Sequence, residues 1–591
     1  MNRMNTVRAL AASTLALSLV ACGGGSDAPA TAPAPGGVPT PPPPPPPAAA
    51  FTISLATDKA LILQGASASV TATLHRNSGF SDAVQLSLSG LPAGVSAAPV
   101  TIAAGSTEAT VVLTALPTAA HSLPTAASVQ GQASGVAAST PLTVTVRGLP
   151  GVVDTSFAGG VVRQAVDIGE DYANAVAVQS DGKVIVAGSS ATTTGTWVSL
   201  VRFQRDGSLD ASFGSNGKVI TQVGSRGNDG AHAVALQADG KIVVAGASDQ
   251  GATGVDFLVL RYAPDGSLDP TFASGGKRVV DFAGDTDRAW ALLVQADGKI
   301  LVGGEANTGT RATGVDFALL RLNSDGSLDD GFGQGGKVIT PVGASTATDV
   351  VRALALGGVV GDRILAVGGE GDFRAVRYLA DGTLDTSFGT QGKTTGLFNS
   401  VVGGARAVTV LPTGQAVIAG QVAHHFAAVQ LTPAGALDPA FGAAGRFEQA
   451  IVPNWNEATA LVRQDDGKLI LGGWAYTGAG TSGDFAALRL KADGTVDASF
   501  GNAGITITAT APGTKDDQGR RCCCNPTTAC PPCVRSRPAR RTTPTTISRS
   551  SACGSDGCVQ AAHPARGAGA ASHGTGSPEA LEEHDNFRRP S

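Results

Sequence analysis

The chain has 591 residues, which is too long for one ordinary hydrophobic core, so several domains are expected. Hydrophobic residues make up 42% of it, as in globular proteins, whereas aromatic residues at 5% and charged residues at 15% are few. The net charge of -5 gives no electrostatic case for nucleic-acid binding. The 79 glycines favour tight turns, and hence many short strands.

Residues 1–21 have the pattern of a bacterial secretion signal, with two arginines before an apolar run that is too short to span a membrane. The run ends in "LVAC" (Leu19–Cys22), which resembles the lipobox of bacterial lipoproteins. This resemblance implies that Cys22 is lipidated and begins the mature chain. Gly23, where an inner-membrane retention signal usually has Asp, implies the outer membrane. A plain signal peptide with an unmodified cysteine is the alternative.

Residues 22–50 are rich in Gly and Pro and contain seven consecutive prolines, Pro41–Pro47. Such a composition predicts a disordered stalk whose proline run is stiffened into polyproline II. The stalk would hold the following domains away from a membrane surface.

Residues 51–148 alternate apolar and polar side chains in six or seven short runs separated by turn residues, as in "SVTATL" and "LTVTV". This pattern predicts an antiparallel β-sandwich. The segment resembles the immunoglobulin-like modules of bacterial surface proteins, although it lacks the Cys…Trp…Cys signature of true immunoglobulin domains. A spacer or adhesive module is the expected role.

A repeat begins at Asp154, where "DTSFAGG" introduces a motif that returns as "DASFGSNGK", "DPTFASGGK" and four further variants. Its phenylalanines are spaced by 56, 59, 60, 56, 53 and 59 residues, and they are Phe157, Phe213, Phe272, Phe332, Phe388, Phe441 and Phe500. Each unit contains four strand patterns and no helical period. Solenoid coils repeat at shorter periods, so a β-propeller is favoured, with seven blades expected.

The units resemble the delta-60 repeat family of bacterial β-propellers, whose function is unknown. The resemblance rests on "SLDxxFGxxGK", "AVALQxDGKIxVAG" and "DFxLxRxxxDGSLD" and covers residues 151–520. It implies an extracytoplasmic propeller and names no activity.

The chain has eight cysteines, namely Cys22 and seven between Cys522 and Cys558, so the folded part has no disulfide framework. The seventh unit loses its pattern at these cysteines, after Asp517. Reading the message one nucleotide earlier turns each cysteine codon into one for Leu, Met or Val and restores two strand motifs in register. We therefore predict that residues 521–591 are a frameshifted, disordered tail and that the last blade of the propeller is disrupted. A zinc or disulfide element is the alternative.

Several recurring polar residues have both a structural and a functional interpretation. Arginines repeated in the fourth strand pattern of each unit could hold an anion at the propeller axis, but pairing with a repeated carboxylate such as Asp210 is preferred; they are Arg202, Arg261, Arg321, Arg377 and Arg489. The carboxylates of "DGSLD" are expected in turns rather than on calcium. The lysines of "DGK" are expected to be solvated hairpin ends; they are Lys183, Lys241, Lys299 and Lys468.

Departures from the repeat are the places where a binding surface is sought. The adjacent His424 and His425 are expected on opposite faces of a strand and hence unable to chelate one metal. Four tryptophans occupy irregular positions, namely Trp197, Trp290, Trp455 and Trp474. No nucleophile elbow, phosphate loop or HExxH motif is present in the sequence.

The sequence therefore predicts a non-enzymatic binding or scaffold protein with no catalytic, cofactor-binding or metal residues. Its expected partners are the membrane, through a lipid anchor at Cys22, and an envelope protein or glycan. The predicted location is the bacterial outer membrane, facing either the periplasm or the exterior. A propeller hydrolase or lyase with a site in the central channel, or a product inactivated by the frameshift, are the alternatives. Different charged residues from several blades at the axis would favour the enzyme.

Overall fold

The computed structural model describes residues 50–77, 79–122, 124–282, 284–307, 314–343, 348–357, 362–398, 402–477 and 483–508, together with three short strands of the tail. The predicted signal peptide, Cys22 and the stalk lie outside these residues. Strands dominate the described part, which contains a single 3-10 turn at Ala158–Gly160. The predicted all-β fold class is confirmed. Among the residues that the structure describes, there is no helix that is long and apolar enough to cross a membrane.

Nine strands form a two-sheet sandwich in the first part of the chain. They are β1 Phe51–Leu55, β2 Lys59–Leu63, β3 Ser67–Arg76, β4 Val84–Ser89, β5 Val95–Ala97, β6 Val100–Ile102, β7 Glu108–Ala115, β8 Thr125–Ala133 and β9 Val136–Arg147. One sheet has the order β1-β3-β7-β5 and the other β2-β9-β8-β4-β6. Because alternate side chains point inward, Val70 and Leu113 of one sheet pack against Val129 and Val144 of the other.

Six four-stranded antiparallel sheets follow, one for each complete repeat, and we call them blades 1 to 6. The first strands are β11 Asp171–Val178, β15 Asp229–Leu236, β19 Asp287–Val294, β23 Val351–Gly357, β27 Gly403–Val410 and β31 Asn456–Arg463. The second strands are β12 Val184–Ala191, β16 Ile242–Asp249, β20 Ile300–Asn307, β24 Arg363–Gly368, β28 Ala416–Val422 and β32 Leu469–Tyr476. The third strands are β13 Thr196–Phe203, β17 Val255–Tyr262, β21 Val315–Leu322, β25 Arg374–Tyr378, β29 His425–Leu431 and β33 Gly483–Leu490. The fourth are β14 Lys218–Thr221, β18 Lys277–Val280, β22 Lys337–Thr340, β26 Lys393–Thr394, β30 Arg446–Gln449 and β34 Ile505–Thr508.

The first strands of successive blades contact one another, which places them around a common axis. The hydrophobic clusters lie between blades rather than within one. Val243 of blade 2, for example, shares a cluster with Val302 of blade 3. Both faces of a blade are apolar, so each blade needs a neighbour on either side, as the faces of stacked repeats do. This arrangement is a β-propeller.

A seventh sheet joins the two ends of the repeat region. Its order is β10-β37-β36-β35, in which β10 is Val161–Arg163, β35 Gln518–Arg521, β36 Cys533–Ser536 and β37 Thr546–Ser548. Strand β35 contacts the first strands of blades 6 and 1, so the ring contains seven sheets. The three tail strands differ from the disorder predicted for residues 521–591. Main-chain hydrogen bonding to an unpaired strand such as β10 needs no particular side chains, so a strand can form there without the repeat pattern. The other residues of the tail lie outside the described ones.

The tail strands are short, and two of them begin at or within one residue of the positions that the shifted alignment gives them. Strand β35 starts one residue after Asp517, the predicted loop acid, and spans four residues where β11 spans eight. Strand β37 starts one residue before Ile547, as β21 starts one residue before Asp316. The frameshift itself stays a prediction.

A polar corner recurs in the third strand of the blades. In blade 1, Nε of Arg202 donates to Oδ2 of Asp210 at 2.7 Å, and its guanidinium lies 4.5 Å from the ring centroid of Phe213. Nη1 of the same arginine donates to the carbonyl oxygen of Pro264 in blade 2 at 2.5 Å. The preferred structural interpretation of the arginines is confirmed at five corners, with the pairs Arg202–Asp210, Arg261–Asp269, Arg321–Asp329, Arg377–Asp385 and Arg489–Asp497.

The predicted solvation of the "DGK" lysines is wrong in these blades. Nζ of Lys183 lies 3.0 Å from the corner carboxylate of Asp210, and Lys241, Lys299 and Lys468 make the same contact in their blades. The hairpin directs each lysine back towards a buried carboxylate that already binds an arginine. Blade 5 keeps the carboxylate but surrounds it with amides, since Gln415 and Gln430 both donate to Asp438.

The glycine of "DGSLD" is required by the neighbouring blade. Gly266 has a φ of 90°, and a Cβ atom there would lie 2.8 Å from the ring of Phe213 in the preceding corner. The carboxylate of Asp265 accepts hydrogen bonds from the backbone and hydroxyl of Ser267, as expected for a turn. The repeated turn therefore covers the corner of the blade before it.

Removing the corner carboxylate should destabilise the propeller. Asp269→Ala leaves Arg261 buried without its partner, which typically costs about 3–5 kcal/mol. Asp265→Ala, four residues away in the exposed turn, should cost about 1 kcal/mol or less. Urea unfolding of the full chain measures both, and equal losses would contradict the importance of the corner.

The corners should also limit stability in acid. Burial alone would raise the pKa of Asp497, but hydrogen bonds from Ser499 and the charges of Arg489 and Lys468 outweigh it and lower the pKa to about 2. A carboxyl group whose pKa is lower in the folded than in the unfolded chain stabilises the fold at pH values above its unfolded-state pKa. This contribution is lost as the pH falls through its folded-state pKa. The unfolding temperature should therefore fall between about pH 4 and pH 2. It should fall less steeply for Asp497→Ala, and an unchanged slope would count against the ion pairs.

The frameshift is tested by resequencing the gene from the codon for Gly519. A missed base that restores the Gln-containing and Asp-Phe-containing strands would extend all three tail strands. The restored chain should then unfold at a higher temperature than the present one, because the seventh blade would gain an apolar face. A confirmed sequence whose shifted frame lacks those codons would refute the hypothesis and leave the cysteines to be tested for metal.

Candidate functional site

The first strand of every described blade contains a β-bulge at the same place. Pairing skips one residue there, for example between Ala231 and Ala233 of blade 2. A bulge turns the extra side chain away from the regular pleat, and such positions are common beside binding sites. The residue at the bulge is an arginine in blades 4 and 5 and a different residue type in each of the other blades. We call the set the axial belt: Asn174, His232, Trp290, Arg352, Arg406 and Thr459.

The first members of the axial belt bind the backbone of the next blade. Nδ2 of Asn174 donates to the carbonyl oxygen of Ala231 at 2.8 Å, and Nδ1 of His232 lies 2.8 Å from that of Ala289. Because a carbonyl only accepts, Nδ1 of His232 carries a proton in this contact. These bonds fix the side chains around the axis.

A stack of rings and a cation continues the belt across blades 2 to 4. The rings of His232 and Trp290 are nearly parallel, with centroids 4.2 Å apart and 13° between their planes. The guanidinium of Arg352 lies 4.6 Å from the centroid of Trp290, within the range of a cation–π contact. Three chemically different side chains from three blades are thereby held in one continuous contact.

Arg352 and Arg406 place two positive charges next to each other in the belt. Burial and then the charge of Arg406 lower the pKa of Arg352 to about 10, although three glutamates act in the opposite direction. Nε of Arg406 donates to Oε1 of Glu457 at 2.7 Å. Nε of Arg352 and Nη1 of Arg406 are buried and donate no hydrogen bond to the residues that the structure describes. Buried donors of this kind call for an acceptor.

Acidic side chains surround the arginine pair without satisfying it. Glu370 lies 3.7 Å from Arg352 and is largely exposed, while Glu305 pairs with Arg288 at 3.4 Å. The nearby charges therefore come close to balancing. The unsatisfied donors, rather than a net positive charge, distinguish the site.

An aromatic group extends from the belt at blades 5 and 6, and we call it the aromatic rim: His424, Trp455, Trp474 and Tyr476. The ring of Trp455 lies 4.4 Å from that of His424 and 5.9 Å from that of Trp474, which is in edge contact with Tyr476. Trp455 is 47% exposed. Trp474 pairs across the sheet with Glu457, the partner of Arg406, so the rim and the belt are continuous.

The two adjacent histidines do not converge. His424 lies in a two-residue turn with Ala423, both with positive φ, and bonds to Gln421 at 2.9 Å. His425 begins β29 and lies 2.8 Å from Glu448. Each ring thus has its own partner, but the expectation that both histidines lie on one strand is wrong, because the strand begins only at His425 and His424 belongs to the turn before it.

The sequence singled out only part of this site. Trp290, Trp455 and Trp474 were expected where the repeat is broken, and they lie in the belt and the rim, whereas Trp197 is buried and donates to Thr192. The repeated arginines lie in the corners, away from the belt. Arg352, Arg406 and His232 were not singled out. The signal was available, since aligning "DGAHAVAL" with "DRAWALLV" and the other first strands exposes one variable position within a repeated pattern.

Comparison with known proteins identifies the repeat. Five stretches match the model of a domain of unknown function, the DUF5122 beta-propeller, at residues 179–213, 237–272, 295–332, 359–388 and 464–500. Each match ends at a corner phenylalanine. No curated protein matches the sequence.

Two solved structures show a distant likeness, each at 10% identity and over 78% of this chain. Domains 4–9 of the surface layer protein SbsC match over 82% of that chain with a TM-score of 0.14, and a DUF4784 family protein from Bacteroides caccae matches over 98% of that chain with a TM-score of 0.20. Scores this low carry no argument about the fold or function of the present chain. The five family matches do, and they confirm the repeat family that the motifs indicate: five repeats of this protein match the DUF5122 beta-propeller, a domain of unknown function.

Proposed function

We propose that this protein is a lipid-anchored, extracytoplasmic binding protein whose propeller binds a carboxylated glycan at the axial belt. The observation that carries the proposal is the pair of half-buried guanidinium groups of Arg352 and Arg406, each with one buried nitrogen that has no acceptor among the described residues, which points to an anionic ligand. The repeat alone would support a scaffold, which needs no such pair. The variation of the belt from blade to blade supports a ligand site.

The surroundings of the pair favour a carboxylate over a denser anion. Glu305, Glu370 and Glu457 would repel a ligand with many charges, whereas single carboxylates spaced along a chain of sugars meet the arginines one at a time. The exposed ring of Trp455 offers an apolar face on which a sugar ring can pack. Belt and rim together therefore suit an extended glycan with uronic acids.

Binding should depend on the belt arginines. Arg352→Met and Arg406→Met each remove charge-assisted hydrogen bonds, and we expect each to weaken the binding of oligogalacturonate by roughly 10-fold to 100-fold. Arg463→Met, which removes an exposed arginine from the end of β31, is the matched control. Titration calorimetry on the full chain measures the affinities. Equal affinity in all four proteins, or equal binding of uncharged dextran, would exclude the carboxylate site.

Trp455→Ala separates a glycan from a simple anion. The substitution should weaken oligogalacturonate by roughly 5-fold to 100-fold, in the range of a ring contact of about 1–3 kcal/mol, and leave the binding of monomeric galacturonate nearly unchanged. Loss of both would show that the rim only supports the belt.

The anchor is supported by the "LVAC" motif and by the proline-rich segment that follows it. Cys22→Ser should abolish incorporation of labelled palmitate and move the protein from the membrane fraction to the soluble one, since a lipid anchor supplies most of its membrane affinity. Incorporation that is unaffected by the substitution would place the lipid elsewhere or reject the lipoprotein interpretation.

A uronate lyase is the second candidate, and the belt gives it a specific basis. Arg352 could neutralise the substrate carboxylate, while Nε2 of His232 could accept the adjacent proton as the neighbouring C–O bond breaks and a C=C bond forms. The departing oxygen would take a proton from solvent. Ultraviolet absorbance of the unsaturated product, followed in the calorimetry samples, distinguishes turnover from binding.

A further inference from the structure

Three carboxylates meet where blade 2 passes into blade 3. They belong to Asp256 near the start of β17, Asp281 directly after β18, and Asp287 at the start of β19, and one oxygen of each lies within 4.8 Å of the others. Asp256 is 2% exposed and Asp287 is fully buried, while Asp281 is half-buried. None of the three belongs to a "DGSLD" motif, for which the sequence favoured a turn over a calcium site.

Two of these acids are part of the repeat, since Asp256 recurs as Asp316 and Asp287 recurs as Asp229, whereas Asp281 is not repeated. Asp287 accepts a hydrogen bond from the backbone of Phe282 at 2.7 Å, as Asp229 does from Val223 in the preceding unit. Its role is to hold the loop that enters the blade. The equivalents of Asp256, Asp281 and Asp287 are Trp197, Gln222 and Asp229 one unit earlier, and Asp316, Pro341 and Asp349 one unit later.

The polar contacts of these acids differ from those at the next junction. There, Arg374 forms an ion pair with Asp349. Here, the ammonium of Lys337 donates to the main-chain oxygen of Asp281 at 2.6 Å and lies over the ring of Phe282. Oδ1 of Asp281 accepts a hydrogen bond from the backbone of Gly284 at 2.6 Å, and Oδ1 of Asp287 accepts one from the backbone of Asn307 at 3.2 Å.

Asp256 supplies the second observation. Its Oδ2 accepts a hydrogen bond from Thr253 at 2.7 Å, but its Oδ1 is buried and has no partner among the residues that the structure describes. Burial, and then the charges of Asp281 and Asp249, raise the pKa of this carboxyl, whereas Lys337 lowers it. A buried, unsatisfied carboxylate oxygen beside two further carboxylates lacks a positive partner.

We propose that Asp256, Asp281 and Asp287 bind a divalent cation, Ca²⁺, at the junction of blades 2 and 3. Carboxylate oxygens are the ligands of hard cations, and the lack of His or Cys among the three argues against zinc. Ca²⁺ accepts irregular oxygen sets that Mg²⁺ does not, and water can complete its coordination. The ion would tie β17 and the end of β18 to the first strand of the next blade. Sites of extracellular modules bind with dissociation constants of about 0.1–1 mM, which is the range expected here.

The test uses the full chain, freed of metal with a chelator and titrated with CaCl₂ in a calorimeter. Binding at one site is expected, and at a tenfold excess over the dissociation constant the unfolding temperature should rise by roughly 2 °C. Asp281→Gln copies Gln222 of the preceding unit, so it should fold and lose the binding. Asp325→Asn removes one charge from an exposed turn and should bind as the unaltered chain does.

Two results would overturn the proposal: no heat and no thermal shift up to about 10 mM CaCl₂, or unchanged binding by Asp281→Gln. Asp256→Asn is the second variant in case the first fails to fold, and retained Ca²⁺ binding by this variant would also reject the site. An equal response to MgCl₂ would contradict the choice of Ca²⁺. The carboxylated-glycan proposal does not enter this test, since the three aspartates lie outside both the axial belt and the aromatic rim.

Discussion

Closure of the ring is the constraint on which the rest of the structure depends. Each blade is apolar on both faces, and the cores lie between blades: Val244 of blade 2 shares one cluster with Ile185 of blade 1, and Val243 shares another with Val302 of blade 3. Removing a neighbour would expose such a face to water. The hydrophobic cluster around Phe203 and Val186 contains, among the described residues, only residues of blade 1 and of the segment that precedes it. It marks the face at which the seventh sheet completes the ring.

The polar corners convert this stacking into a defined geometry. Apolar contact is non-directional, so it does not by itself set how one blade is rotated against the next. The guanidinium of Arg202 binds a carboxylate of its own blade, a phenylalanine ring and a carbonyl oxygen of the following blade. Its planar fork can meet these partners in only a few arrangements. The corner thus connects the pairing within a blade to the position of the next one.

Within this repeated framework, two places have buried polar atoms without a hydrogen-bond partner among the residues that the structure describes. The axial belt has donors without acceptors at Arg352 and Arg406, and the junction of blades 2 and 3 has an acceptor without a donor at Asp256. Burying polar groups in this state costs stability, which a bound anion at the first place and a bound cation at the second would restore. The two sites use opposite charges and different residues, so one can be removed without the other.

The sequence by itself determined the fold class, the repeat and the corners. These features recur every 53 to 60 residues, and strand alternation and the turn at Asp265-Gly266 are local patterns that short segments carry alone. The arginine–aspartate pairs were predictable too, because their partners are eight residues apart. Only the tertiary structure decided the site. Arg352 and Arg406 belong to different repeats and meet because the ring brings equivalent positions of neighbouring blades together around one axis. Asp256 and Asp287 occupy different positions of the repeat and meet because the third strand of blade 2 contacts the first strand of blade 3. Periodicity predicts that such positions are equivalent, but which non-repeated side chains share charge, burial and a missing partner depends on contacts that exist only once the blades have packed.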